Sequence, residues 1–219
     1  MKPLRMALTK GRLEQATVAL LEASGMNCGS LREKGRRLIL PVGGPESVPE
    51  LEVVLSKAPD VLTYVEHGVC ELGVVGKDVI QEHGGRFFEI LDLGFGRCGF
   101  ALACPRGADF FHGYQSKTVA TKYPNVARRF FESKAMDVRI IKIEGSVELA
   151  PLLGLADGIV DIVETGATLR ENGLEVVERI SEISARLIVN PAAMKLRKGE
   201  IEELAARLER EKAREEAKR

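Results

Sequence analysis

The residues best suited to chemistry lie in the run Gly158-Ile159-Val160-Asp161-Ile162-Val163-Glu164-Thr165-Gly166-Ala167-Thr168-Leu169. A β-branched strand ends there in Thr-Gly-x-Thr and enters a helical turn. Gly166 lets the backbone close on an anion, successive amides (Ala167 among them) converge on it, Thr165 and Thr168 add hydroxyl donors, and the helix start adds a favourable dipole. Such a turn suits a terminal 5′-phosphate. Asp161 lies on the same strand, two residues before its end, where a carboxylate can receive ribose hydroxyls or hold a magnesium-bound water. The same spacing also serves a plain helix cap with Asp161 in a polar pocket, and a short glycine motif alone does not separate the two readings.

The elements around this run set its position. Leu4 to Leu8 reads as a buried strand, Lys10-Gly11 as a turn, and Leu13, Ala16, Thr17, Leu20 and Leu21 recur at helical spacing up to Gly25. Pro41 to Pro49 is too rich in breakers to be other than a loop. A short helix around Val61 to Glu66, a strand Leu72 to Val75 and a helix starting at Gly76-Lys77-Asp78 follow, then a strand near Phe88 to Leu93. The glycines of Gly94-Phe95-Gly96-Arg97-Cys98-Gly99 mark a flexible or closely approached segment, where the first crossing into a second lobe is placed. That lobe alternates strand Thr118 to Ala120, helix Pro124 to Ser133, strand Val138 to Ile143, helix Val147 to Leu153 and strand Gly158 to Val163. The chain returns through the β-rich stretch Leu174 to Val189 and ends in helical segments.

This pattern predicts an α/β protein of two lobes, with mainly parallel sheets and flanking helices, crossing in the manner of type II periplasmic binding proteins. Lobe I takes residues 1–93 and 178–219, and lobe II takes 94–177. Ligands of such sheets bind beyond the carboxyl ends of the strands.

Of the 219 residues, 45% are hydrophobic and 29% charged, which supports a globular core and excludes disordered and fibrous classes. Lys plus Arg and Asp plus Glu each total 32, so no global field favours nucleic acid, and any phosphate-binding charge must be local. The first residues turn polar at Thr9-Lys10, too early for a secretory segment, and no apolar run is long enough to cross a bilayer; a cytoplasmic protein is expected. Cys28, Cys70, Cys98 and Cys104 lack metal-ligand spacing and read as reduced packing residues.

The wider run from Glu144-Gly145-Ser146-Val147-Glu148-Leu149-Ala150-Pro151 through Leu155-Ala156-Asp157 to Asp161, Thr165, Gly166, Thr168 and Leu169 resembles the signature of the ATP phosphoribosyltransferase family. Lys10-Gly11-Arg12-Leu13, Tyr64 to Val69, Gly76 to Val79, Ala120 to Asn125 and Ile188 to Pro191 resemble further segments of that family in the same order. Departures are mild: Leu62 where many relatives have proline, Cys70 where alanine is common, and the Gly43-Gly44-Pro45 loop. The salvage phosphoribosyltransferases place two adjacent carboxylates before Thr-Gly, whereas Ile162 follows Asp161 here.

The resemblance implies transfer of phosphoribosyl from phosphoribosyl pyrophosphate to N1 of ATP, with magnesium as the clamp. It also implies a short-form catalytic chain that works as a homodimer within a hetero-oligomer, beside a regulatory subunit resembling histidyl-tRNA synthetase. Adenine N1 carries no proton, so no residue is assigned as general base. Two polyanions can meet only if cations separate them, which assigns Lys10, Arg12 and Lys77, with Gly11, to phosphates, and Lys122 with Tyr123 of the other lobe to the nucleotide. Glu144 is a candidate for orienting ribose or adenine; Asp157 either does the same or terminates a helix. Asp78 reads as a helix cap, and no histidine is given a role. The rival reading is a two-lobed small-solute-binding module without catalysis.

Overall fold

The computed structural model describes residues 2–45, 50–113 and 116–217. The chain divides into two compact units, Met1–Gly96 with Ser184–Arg219, and Arg97–Ile183.

The first unit opens with β1 (Leu4–Thr9), α1 (Arg12–Ala23) and the short α2 (Gly29–Arg32). β2 (Ile39–Val42), β3 (Leu51–Ser56), α3 (Ala58–Glu66), β4 (Leu72–Gly76), α4 (Lys77–His83) and β5 (Phe88–Asp92) follow. β1 is buried on both sides, as the centre of a covered sheet requires: Leu4, Met6 and Leu8 face one apolar cluster and Ala7 the other. The second unit carries β6 (Cys98–Pro105), β7 (Lys117–Thr121), α5 (Pro124–Ser133), β8 (Val138–Lys142), α6 (Leu149–Leu152), β9 (Gly158–Val163), α7 (Ala167–Glu171) and β10 (Leu174–Ile183). The chain then completes the first unit with β11 (Ala185–Val189), α8 (Pro191–Leu196) and α9 (Lys198–Glu216).

The sheet of the first unit runs β2-β3-β1-β4-β11-β5, and that of the second β10-β6-β9-β7-β8. Both are mixed where mainly parallel sheets were expected. β1 pairs in parallel with β3 and β4, and β7 with β8 and β9, across helical connections; β2, the element just before β3, and the strands that leave or return, β6, β10 and β11, pair antiparallel. The predicted loop at Pro41 starts later, since Pro41 and Val42 belong to β2; residues 46–49 of that loop lie outside the described ones. Pro41 is tolerated because β2 is an edge strand. The glycine-rich crossing is shorter than expected, since Cys98 and Gly99 already pair with Ile183 and Glu182. That same pairing carries β10 to Ile183, so the unit boundaries fall after 93 and 177, at Gly96 and Ile183.

Helix ends follow local chemistry. Pro124 starts α5 and Pro191 starts α8, where a missing N–H costs nothing. The Asn190 carboxamide accepts from the Ala192 and Ala193 amides at 2.9 and 3.1 Å and donates to the Val65 carbonyl at 2.8 Å, joining the start of α8 to the end of α3. The cysteines are unpaired; Cys28, Cys70 and Cys104 are buried, and burial pushes the Cys28 and Cys70 thiols up to about 11. Among the described residues no helix is long and apolar enough to cross a membrane.

Candidate active site

Parallel pairing puts the carboxyl ends of β7, β8 and β9 at one edge of the second unit: Thr121 stands opposite both Lys142 and Val160. The turns that follow these strands hold Lys122-Tyr123, Glu144 and Thr165 to Thr168, so the sequence-predicted residues of this unit, Asp157 excepted, share that edge.

The turn after β9 is built for close approach. Gly166 has φ 72° and ψ 12°, the left-handed conformation that glycine adopts without steric cost, and stands immediately before α7. The Thr165 hydroxyl accepts from the Ala167 amide at 3.3 Å, and Arg170 Nη1 donates to the Thr165 carbonyl at 3.0 Å, which braces the turn from behind. Thr165, Ala167 and Thr168 are exposed, while Leu169 anchors the turn in the core. The turn therefore stands on a fixed base with Thr165, Ala167 and Thr168 open to solvent, and the Ala167 amide, held by the Thr165 hydroxyl, turns to an anion by leaving that bond.

Asp161 faces the side of the sheet where its strand neighbours are small. It stands opposite Ala101, on the face that also carries Ala103 and Ala120. Burial pushes its carboxyl above the usual range; the Ile162 amide opposes this, Glu148 adds to it and Lys122 opposes it. A carboxylate short of solvation and within the field of a lysine is poised to gain a cation or hydroxyl donors.

Lys122 is exposed. The Tyr123 amide donates to the Thr121 hydroxyl at 2.8 Å, and its ring meets Phe100 edge-on, centroids 4.8 Å apart, so much of the ring belongs to the core. Glu144 is exposed and pairs with Lys142 at 2.7 Å; that hydrogen bond and charge hold its carboxyl below the usual range, with a smaller contribution from Lys122. Asp157 is the residue not brought to this edge. It precedes β9, and its carboxylate accepts from the Thr118 amide at 2.7 Å, at the amino ends of β7 and β9. With about 3.3 Å per strand residue, most of β9 separates it from the turn. At those amino ends it joins the starts of two strands.

The first unit gathers a second set. β1, β3 and β4 run parallel, Thr9 standing opposite Ser56, so Lys10-Gly11-Arg12, Lys57 and Lys77 follow strands at one edge. Gly11, at φ 96°, precedes α1, and its amide donates to Glu14 Oε2 at 3.3 Å; the buried Glu14 also forms an ion pair with Lys34. Lys10, Gly11 and Arg12 are exposed. Lys77 is engaged with Glu89 of β5, which Arg186 also approaches at 3.4 Å. Asp78 lies inside α4, one position beyond its first residue, and the helix cap expected of it falls to Gly76.

Sequence reasoning missed two neighbours of these sets. Lys57 is exposed at the start of α3, and the strand-end Ser56-Lys57-Ala58-Pro59 pattern is its signal once β3 is recognised. Glu148, before α6, acts on Asp161. Its signal is the expected proximity of the Val147 helix to the next strand.

These features define a class: an α/β protein of type II periplasmic-binding-protein kind whose exposed strand-end turn can receive an anion. The family model "HisG: ATP phosphoribosyltransferase" matches residues 57–210. An ATP phosphoribosyltransferase of Clostridium kluyveri is 55% identical over 203 residues, covering 93% of this chain and 91% of the relative, and one of Clostridium botulinum is 54% identical over 92% and 94%. Among solved structures, the ATP phosphoribosyl transferase (HisG:HisZ) complex from Thermotoga maritima matches with TM-score 0.80 and 33% identity over 97% of this chain and 98% of that one. The periplasmic aliphatic sulphonate binding protein SsuA from Escherichia coli, 12% identical with TM-score 0.60 over 100% and 75%, shares the fold alone. The chain belongs to the ATP phosphoribosyltransferase family.

Proposed function

We propose that the chain catalyses transfer of phosphoribosyl from phosphoribosyl pyrophosphate to N1 of ATP, the first step of histidine biosynthesis, in the cytoplasm. The observation that carries this reading is the exposed Thr165-Gly166-Ala167-Thr168 turn behind Asp161, in a chain 55% identical to a named relative. The N1–C1′ bond forms as the C1′–O bond to pyrophosphate breaks, with inversion, and no proton has to be removed. The protein's task is to hold two polyanions in line and to stabilise the charge that leaves.

In this reading Thr165 to Thr168 take the 5′-phosphate and Asp161 takes the ribose. Glu144, paired with Lys142 through Oε1, keeps Oε2 to accept from the ribose hydroxyls. Lys10, Gly11, Arg12 and Lys122 meet phosphates, joined by Lys57; Lys77 does so by exchanging Glu89 for a phosphate. Tyr123 contributes the exposed part of its ring. Magnesium, when bound, offsets the pyrophosphate charge. The residues fit an ion held mainly by substrate phosphates, because Asp161 supplies the single carboxylate such a site can use.

The T. maritima neighbour is a HisG:HisZ complex. By analogy this chain works as a homodimer within a hetero-oligomer that includes a regulatory subunit resembling histidyl-tRNA synthetase. The test is pyrophosphate release from ATP and phosphoribosyl pyrophosphate with magnesium and that subunit present. Stoichiometric binding of either substrate without release would instead support the solute-binding reading.

A further inference from the structure

One carboxylate holds both passages between the units. The chain leaves the first unit after Gly96 and re-enters it at Ser184. Asp92, the last residue of β5, accepts through Oδ1 from the Gly94 amide at 2.8 Å and from the Ser184 hydroxyl at 2.8 Å, while Oδ2 meets Arg186 Nη1 at 3.1 Å. Two backbone hydrogen bonds reinforce the join, from Leu93 to the Ala185 carbonyl and from Ala185 to the Phe95 carbonyl, both 2.9 Å.

The outgoing segment has the least restrictive backbone of the two, with Gly94 at φ 78° and Gly96 at φ 66°. Leu93 is buried and Phe95 packs against the same apolar cluster, so the segment is anchored on either side of Gly94, and the Asp92 carboxylate fixes that glycine between them. Ser184 is 6% exposed, and its hydroxyl donates to Asp92. Burial alone would raise the Asp92 carboxyl, but the Gly94 amide, Ser184, Arg186 and Lys212 together outweigh it and hold the group below the ordinary carboxylate range. The same Arg186 approaches Glu89, the partner of Lys77, so the clasp is continuous with a candidate phosphate ligand.

We propose that Asp92 is a positioning residue for the transfer reaction, clasping the outgoing passage at Gly94 to the returning passage at Ser184. Ordered links leave less conformational freedom to be lost when substrates bind, so the clasp acts on substrate affinity rather than on bond making. Its kinetic consequence rests on the transferase reading; its effect on the passages does not.

The test uses the full chain with its regulatory subunit and three variants: Asp92→Ala, Ser184→Ala and, as a control for general destabilisation within the first unit, Val53→Ala in the core of β3. Amide hydrogen exchange should accelerate by about tenfold in segments 93–97 and 183–186 of the first two variants, and not in the control. KM for both substrates should rise about three- to tenfold while kcat stays within about threefold, the split expected when ordering before chemistry is lost. If Asp92→Ala does not fold, Ser184→Ala decides, since its hydroxyl reaches the clasp without carrying the charge. Exchange and KM indistinguishable from those of Val53→Ala would overturn the proposal. Should the wild type release no pyrophosphate, the transferase reading fails and the exchange comparison alone judges the clasp.

Discussion

The Asp157 carboxylate accepts from the Thr118 amide at 2.7 Å while the Asp157 amide donates to the Thr118 carbonyl at 2.8 Å. This reciprocal pair fixes how β7 and β9 begin, one step before Val119 meets Gly158. Asp157→Ala should therefore cost about 1 kcal/mol of stability, the scale of an exposed hydrogen bond, with kinetic constants within about twofold of wild type. Denaturant melts alongside pyrophosphate release check this. A tenfold rise in KM for phosphoribosyl pyrophosphate would return Asp157 to the ligands.

Gly166→Ala tests the turn itself. At φ 72° an L side chain costs about 1–2 kcal/mol, and the new Cβ would sit 3.2 Å from Arg170 Nη1, the group that braces Thr165. KM for phosphoribosyl pyrophosphate should rise by about tenfold or more, with KM for ATP changed less. Initial rates with each substrate varied in turn give the answer; an equal rise for both would mean general damage.

Asp161 gives a pH signature. Its folded carboxyl is raised by burial, so below the unfolded value of 3.8 both states are protonated and the residue costs nothing. As pH rises through and beyond that value the unfolded state ionises more readily, and stability is lost until the folded group has ionised too. Asp161→Asn should thus melt higher than wild type at neutral pH, with the gap closing toward pH 3.8, while transfer falls by about tenfold or more. A variant less stable than wild type at neutral pH contradicts the burial argument.

Lys10→Ala and Lys57→Ala remove exposed charges. Melts should move by no more than about 0.5 kcal/mol, whereas affinity for the phosphorylated substrates should drop by about tenfold and depend less on salt. Measuring KM across a series of ionic strengths discriminates: slopes equal to wild type would remove these lysines from the phosphate set.

The parts legible from sequence are those whose signals are local. β9 and α5 have the bounds read for them, Gly158–Val163 and Pro124–Ser133, because a β-branched run and an N-terminal proline are decisive by themselves. β2 and β3 were hidden by the proline and glycine cluster between them. β6 was hidden because Gly99 sits within a paired strand rather than a turn. Partners distant in sequence were equally hidden: Glu89 for Lys77, Phe100 for Tyr123 and Thr118 for Asp157 depend on strand order and register. Asp157 and Asp161 are chemically alike and four residues apart. Only the direction of β9 separates them, since one precedes the strand and the other approaches its carboxyl end.

The placement of β11 between β4 and β5 bears on how this protein is made. During translation β5 emerges early but has no neighbour until Ala185–Val189 leaves the ribosome, whereas every strand from β6 to β10 finds its partners within one uninterrupted stretch. The inserted unit can thus mature on the nascent chain while the first unit waits with two unpaired strand edges. Truncation before Ala185 would leave those edges bare and prone to intermolecular pairing.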